Sequence, residues 1–233
     1  MAETRKAAIG AFAGLGLPHR RIEEWKYTDL RAALREAAMP AVADATPVTA
    51  AELDAALEGL AALDAYRVVF VNGVYRQELS STELSAGLSI TLLARTLEKS
   101  GLSQPQAPAQ DATIALNTAF VTDGAAVEIA QRAKLAKPLL VVFVRAGSEP
   151  RLITTRNVIK AGDDGQVTLI EAHVALAGAS AGQANTLRVV MRRGSLPART
   201  NTTSSCFASL ARCAISTTAP SVTKAVLSAM VAS

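Results

Sequence analysis

The 233-residue chain is short of aromatic rings. Five Phe, three Tyr and one Trp make up 4% of it, so Ala, Val and Leu must fill any core. Cysteine is scarce too. Cys206 and Cys213 are separated by six residues, which fits no common zinc or redox spacing, and the only histidines, His19 and His173, are distant in sequence. No run of about 18 apolar residues occurs, so no membrane-spanning helix is expected. The opening MAETRKAAIGAFAGLGLPHR is too polar and too broken by Gly and Pro for a secretory leader. Glu3, Glu23, Glu24 and Asp29 argue against an acid-poor transit peptide. A cytoplasmic location is expected. Phosphate-binding glycine loops and serine nucleophile elbows are also missing: GLGLP lacks a following helix and lysine, and GDDGQ reads as a turn.

One further absence is local. Residues 1–171 hold all 20 acids and 18 of the 24 Lys and Arg, a net of −2, whereas residues 172–233 hold the other six bases and no acid. A stretch of that length carries roughly seven Asp and Glu at average usage. The basic balance therefore belongs to the last quarter and says little about the rest.

What is present divides into three parts. Residues 1–65 read as helical. In TRKAAIGAFAGL, Ala7, Ile9 and Phe12 are spaced for one apolar face, with Gly14 and Gly16 ending the helix. YTDLRAALREAAM places Leu30, Ala33, Leu34 and Ala37 at helical spacing behind a Thr28 N-cap. TAAELDAALEGLAAL carries Thr49 and, three residues on, Glu52, a capping box ahead of Leu53, Leu57 and Leu60. From Tyr66 the period shortens. YRVVFVNGVYRQEL reads as strand, Asn72-Gly73 turn, strand. LSITLLARTLEKSG reads as a strand running into a short helix, Thr113–Phe120 is helical in spacing, and AAVEIA, KPLLVVFV, RLITTRNVIKAG, GQVTLIEAHVAL and NTLRVVM are short β-rich runs separated by turn residues. Regular short strands without intervening helices fit a sandwich or barrel, or an irregular β-solenoid. After Val190 the pattern stops in a Ser-, Thr-, Ala- and Arg-rich stretch.

Little of this suggests chemistry. Glu171 and His173 lie two apart in a strand and so share a face, a pairing suited to proton transfer or metal binding but more common as a polar ladder. RRIEEWKYTDLR mixes four bases and three acids with Trp25 and Tyr27. Its acids would repel phosphate, so Trp25 and Tyr27 read as anchors of the N-terminal region rather than a nucleic-acid site. No catalytic, cofactor-binding or metal-binding residue is assigned, and no enzyme activity is expected.

The segment LPHRRIEEWKYTDL resembles the N-terminal signature of the SufB/SufD family of the SUF iron–sulfur cluster assembly system. Pro18, Arg21, Glu23 or Glu24, Trp25, Lys26, Tyr27, Thr28 and Leu30 carry the likeness. It continues through VVFVNGVY, through LNTAFVTDGAAVEI with Leu116, Asn117, Ala119, Phe120, Asp123 and Gly124, and through KPLLVVFV, TTRNVIKAGDDGQVTLIEAH and QANTLRVV, to about residue 190. The resemblance implies a mainly β chain: an N-terminal α-helical region over 1–65, then a right-handed parallel β-helix, incomplete, over 66–190. It implies a SufD-like scaffold subunit of the SufBCD complex, with SufB and SufC as partners and no nucleic acid or membrane. It implies no cofactor held by this chain, the iron–sulfur cluster being the product of the complex and ATP being used by SufC. Family members continue where this pattern stops, so residues 191–233 are expected to be an off-pattern basic tail, out of frame or disordered, on a truncated and aggregation-prone chain. The alternatives are a stand-alone β-solenoid binding module whose basic tail contacts nucleic acid or acidic surfaces, and an enzyme using Glu171 and His173.

Overall fold

The apolar run YRVVFV and the run LLVVFVR lie side by side in the interior, which is why neither alternates with polar residues. The computed structural model describes residues 2–23, 26–27, 39–41, 46–92, 112–121, 123–149, 151–163, 165–179, 186–187 and 223–230. Three helices are described: α1 (Ala2–Leu15), α2 (Ala50–Leu57) and α3 (Ala112–Phe120). The strands are β1 (Met39–Pro40), β2 (Tyr66–Val71), β3 (Val74–Tyr75), β4 (Leu88–Leu92), β5 (Ala125–Ile129), β6 (Leu139–Arg145), β7 (Arg151–Leu152), β8 (Arg156–Ala161), β9 (Gln166–Ala175), β10 (Thr186–Leu187) and β11 (Thr223–Met230).

They form three sheets, ordered β11-β9-β6-β2-β3, β10-β8-β5-β4 and β1-β7. In the five-stranded sheet β2, β6 and β9 are parallel, so Phe70, Phe143 and His173 fall on one rung. In the four-stranded sheet β5, β8 and β10 are parallel. The two sheets face each other across one core. Val68, Phe70, Val141, Phe143 and Leu169 from the first meet Leu88, Val127, Ile129 and Ile159 from the second. The other face of the five-stranded sheet is covered by α2, whose Leu53 and Leu57 pack on Val69, Val71, Leu140, Val142 and Ile170. The order of layers is helix, sheet, sheet.

This corrects the expected right-handed parallel β-helix. A solenoid needs every rung to pair in parallel with the next, and here antiparallel strands bound both large sheets: β3 on β2, β11 on β9, and β4 on β5. The cause at β3 is local. Asn72 (φ 49) and Gly73 (φ 82) are both left-handed, the geometry of a two-residue hairpin turn, so the chain reverses instead of advancing to a new coil. Among the described residues the two large sheets are mixed and no sheet closes.

The outer edge of β2 is sealed by the segment after β3. The Ser81 and Ser80 hydroxyls accept from the N–H groups of Arg67 and Val69 at 2.9 and 3.0 Å. Ser81 N–H and Arg76 N–H donate back to the Arg67 and Val69 carbonyls at 3.0 and 2.9 Å.

The Thr49 capping box is present as its spacing requires. Glu52 N–H donates to Thr49 Oγ1 at 3.2 Å, and Thr49 N–H donates to Glu52 Oε2 at 2.8 Å. These bonds hold the Glu52 carboxyl below its usual pKa. A lowered pKa stabilises the fold above the ordinary carboxylate range, and that contribution is lost as pH falls through the lowered value. Loss of the cap in Thr49→Ala should cost about 1 kcal/mol at neutral pH. It should also flatten the acid limb of a urea-unfolding series measured against pH.

The N-terminal helix differs from its expected face. Gly16 (φ 67) ends it, its N–H returning to the Phe12 carbonyl at 2.8 Å. The buried position is Ala8, while Ile9 is 48% exposed. The helix lies on α3, and Arg5 Nη2 donates to the Val121 carbonyl just past the end of α3 at 2.8 Å. Tyr27 is 91% exposed, with Lys26 Nζ 5.2 Å from its ring centre, so its side chain is not buried as an anchor would be. Trp25, the Thr28 cap, the helix expected after it, and Cys206 and Cys213 lie outside the described residues.

Candidate functional site

Where α3 meets the start of the four-stranded sheet, the apolar interior gives way to buried polar groups. The helix ends in Asn117 and Thr118, the turn after it supplies Asp123 and Gly124, and β8 opens with Arg156 and Asn157, all of them buried. Arg156 lies under α3. Its Nε donates to Asn117 Oδ1 at 3.2 Å and its Nη2 to Thr118 Oγ1 at 2.6 Å. Asn117 Nδ2 in turn donates to the Thr155 carbonyl at 2.9 Å, so helix and strand are tied in both directions. Beyond the helix, Asp123 accepts from Gly124 N–H at 2.8 Å and from Tyr75 N–H at 3.2 Å. Its carbonyl accepts from Arg156 N–H at 3.0 Å, and Asn157 Oδ1 accepts from Ala125 N–H at 2.9 Å. The acceptors that Arg156 reaches in α3 are held in place by the helix, so the guanidinium meets them without further ordering. The result is a rigid joint linking α3, the β3 hairpin and both parallel strands β5 and β8.

Glycine is required within that joint. A Cβ on Gly124 would stand 1.7 Å from the Arg156 carbonyl oxygen. Here two backbones touch, which is a structural reason for the Asp123-Gly124 pair.

The Glu171–His173 pair forms as the strand period implies. His173 Nε2 bonds to Glu171 Oε1, and the side chains are 18% and 10% exposed. The imidazole stacks on Phe143 with ring centres 4.9 Å apart, and Phe143 stacks on Phe70 at 5.6 Å. The pair thus extends an aromatic ladder across β9, β6 and β2 on the face turned toward the other sheet. At the end of the same strand rung set, Arg145 is nearly buried, and desolvation pulls its pKa below the usual arginine value. His19 serves its own turn, its Nδ1 accepting from Arg21 N–H at 3.2 Å. Among the described residues no three His, Cys, Asp or Glu side chains gather as a metal-binding group.

Among the described residues are those lining two surface clefts. One, about 260 Å³, lies beyond the carboxyl ends of β2 and β6. The other, about 360 Å³, lies between α2 and the β2 edge; of the charged groups Asp54, Asp64, Arg67 and Glu78 in its lining, Asp54 and Arg67 are paired at 2.8 Å. Glu171 and His173 are not among the residues that line these two clefts.

The model of the SufBD protein N-terminal region matches residues 1–141, more than half of the chain. The chain belongs to the SufB/SufD family. Among its SufB/SufD relatives is the iron–sulfur cluster assembly SufBD family protein of Synechocystis sp., 29% identical over 182 residues, covering 74% of this chain and 39% of that one. Another is the iron–sulfur cluster assembly protein SufD of Escherichia coli, 26% identical over 164 residues, covering 69% of this chain and 36% of that one. The chain thus spans well under half the length of these relatives. No described helix is long and apolar enough to cross a membrane.

The family-like motifs and the buried joint coincide. Asn117, Asp123 and Gly124 are recognisable in LNTAFVTDG by pattern alone, and the structure supplies their role. Arg156 and Asn157 do not stand out in the same way. The available signal is the polar run Thr154-Thr155-Arg156-Asn157 between Ile153 and Val158, where four polar residues interrupt an otherwise apolar segment.

Proposed function

We propose that the chain works in iron–sulfur cluster assembly as a SufD-like scaffold subunit, in the cytoplasm, with SufB and the ATPase SufC as partners. The family match over residues 1–141 carries this reading, and the names of both relatives support it. On this reading the chain catalyses nothing itself and holds no resident cofactor. The nascent cluster is cargo of the assembled complex, and nucleotide chemistry belongs to SufC. The buried joint of Asn117, Asp123, Arg156 and Asn157 suits such a role, because it fixes the relative positions of elements without offering a reactive group to solvent.

The test is reconstitution. The full chain, tagged and co-expressed with SufB and SufC from the same organism, should co-purify with both. It should also restore growth under iron limitation to a strain lacking SufD. Failure of both co-purification and growth would overturn the proposal.

A further inference from the structure

The cleft beyond the carboxyl ends of β2 and β6 contains Arg151, paired with the largely exposed carboxylate of Glu149. Its floor is Asn72, 5% exposed and held in the left-handed region at φ 49. The Asn72 carboxamide is locked to the opposite loop, Nδ2 donating to the Ala146 carbonyl at 3.0 Å and Oδ1 accepting from Ala146 N–H at 3.1 Å. Nδ2 also donates to Thr46 Oγ1 at a longer 3.4 Å. The wall is Arg151 in β7, whose backbone is set by parallel pairing with Met39 of β1. Its side chain is 32% exposed and donates through Nη2 to Glu149 Oε2 at 2.5 Å, while Glu149 is 74% exposed. Ser148 and Ile153 complete the lining, and Gly147, left-handed at φ 89, gives the loop its bend.

We propose that this cleft is a binding site for a small organic acid, with the Glu149 carboxylate as its resident and displaceable occupant. The chemistry is that of the contact already present. A guanidinium fork recognises a planar carboxylate through parallel N–H donors, and Arg151 already holds one. A largely exposed ion pair contributes little net stability, so exchanging Glu149 for a guest carboxylate sacrifices little. With Glu149 in place the Arg151–Glu149 pair is neutral; with Glu149 turned out to solvent the cleft carries one positive charge beside the Asn72 amide and the Ser148 hydroxyl. Glu149, tethered two residues from Arg151, competes at an effective concentration on the order of millimolar. The site therefore responds to organic acids at comparable concentrations rather than at trace levels.

The test uses the full chain, with succinate as probe and inorganic phosphate as comparison, at constant ionic strength. Amide shifts of Gly147 and of the Asn72 side chain are followed by NMR. Succinate should shift both saturably. Glu149→Gln, which removes the competing charge, should bind about fivefold more tightly. Arg151→Lys, which keeps the charge and loses the fork, should bind more weakly, and Arg151→Met should abolish binding while thermal melting reports the fold. If Arg151→Met does not fold, the Glu149→Gln and Arg151→Lys comparisons still decide. Absence of a saturable shift in the Glu149→Gln protein overturns the proposal, as does unchanged affinity after Arg151→Lys. Phosphate binding as tightly as succinate would also overturn it, because the site would then not be one for carboxylates.

Discussion

Replacing Gly124 by alanine should abolish cooperative folding, or lower stability by at least about 3 kcal/mol. The new methyl carbon would lie 1.7 Å from the Arg156 carbonyl oxygen and 2.5 Å from its carbonyl carbon. Both obstacles are backbone, so no rotamer change relieves them. Relief requires β5 and β8 to separate where Asp123 and Thr155 form a parallel bridge. Separation would break the Arg156 N–H bond to the Asp123 carbonyl and the Ala125 N–H bond to Asn157, and so dismantle the joint. The same substitution at Gly14 makes an internal control. That glycine is inside α1 with nothing within 4 Å of where an alanine methyl would sit, and Gly14→Ala should stabilise the protein by about 0.5–1 kcal/mol. Opposite signs for one chemical change, read by thermal or urea unfolding, would locate the effect in backbone contact; a mild effect at Gly124 would show that the two strands can part cheaply.

Arg156→Met should cost about 3 kcal/mol. Methionine keeps most of the buried stem but withdraws the donors that reach Asn117 Oδ1 and Thr118 Oγ1. Those acceptors belong to buried residues and cannot recover water without α3 lifting. The loss should be coupled to Asn117. In a double-mutant cycle with Asn117→Leu, the interaction energy should fall in the range of about 0.5–3 kcal/mol, because removing both partners leaves fewer stranded groups than removing either. Additive losses would mean that the two residues do not act as a unit. Hydrogen exchange should show the consequence as faster opening of α3, and of α1, which rests on it.

The elements that can be read from sequence are those whose signal is contained within a few residues. The Thr49–Glu52 box, the Asn72-Gly73 reversal and the helical spacing of Thr113–Phe120 each depend on local geometry, and each is found. The pairing of strands is a different kind of property. YRVVFV and LLVVFVR are apolar on both faces, and that composition fits a solenoid core as well as the middle of a mixed sheet. Nothing inside those runs names their neighbours. The hairpin at Asn72 is legible, yet that its second strand bounds a sheet of otherwise parallel neighbours emerges only from the sheet order. The same division applies to side chains. Glu171 and His173 fall on one face because two-residue periodicity is local, whereas their shielding comes from Phe143, distant in sequence but stacked on the imidazole. Likewise the joint depends on Arg156 meeting Asn117 across 39 residues, a distance at which a polar residue in an apolar run is only an anomaly awaiting a partner. Helix α1 shows the reverse error: Ile9 suggests a core position by type, but it is Ala8 that is buried and Ile9 that faces out.

The serine-sealed edge of β2 gives the five-stranded sheet a direction. With the N–H and carbonyl groups of Arg67 and Val69 already taken by Ser80, Ser81 and Arg76, an incoming extended segment finds no ladder to join on that side. On the opposite flank β9 is already paired with β11, so a strand added there would meet the outer edge of β11. A neighbour's strand therefore cannot add beside Arg67 and Val69, which removes one of the edges through which copies of a sheet protein join.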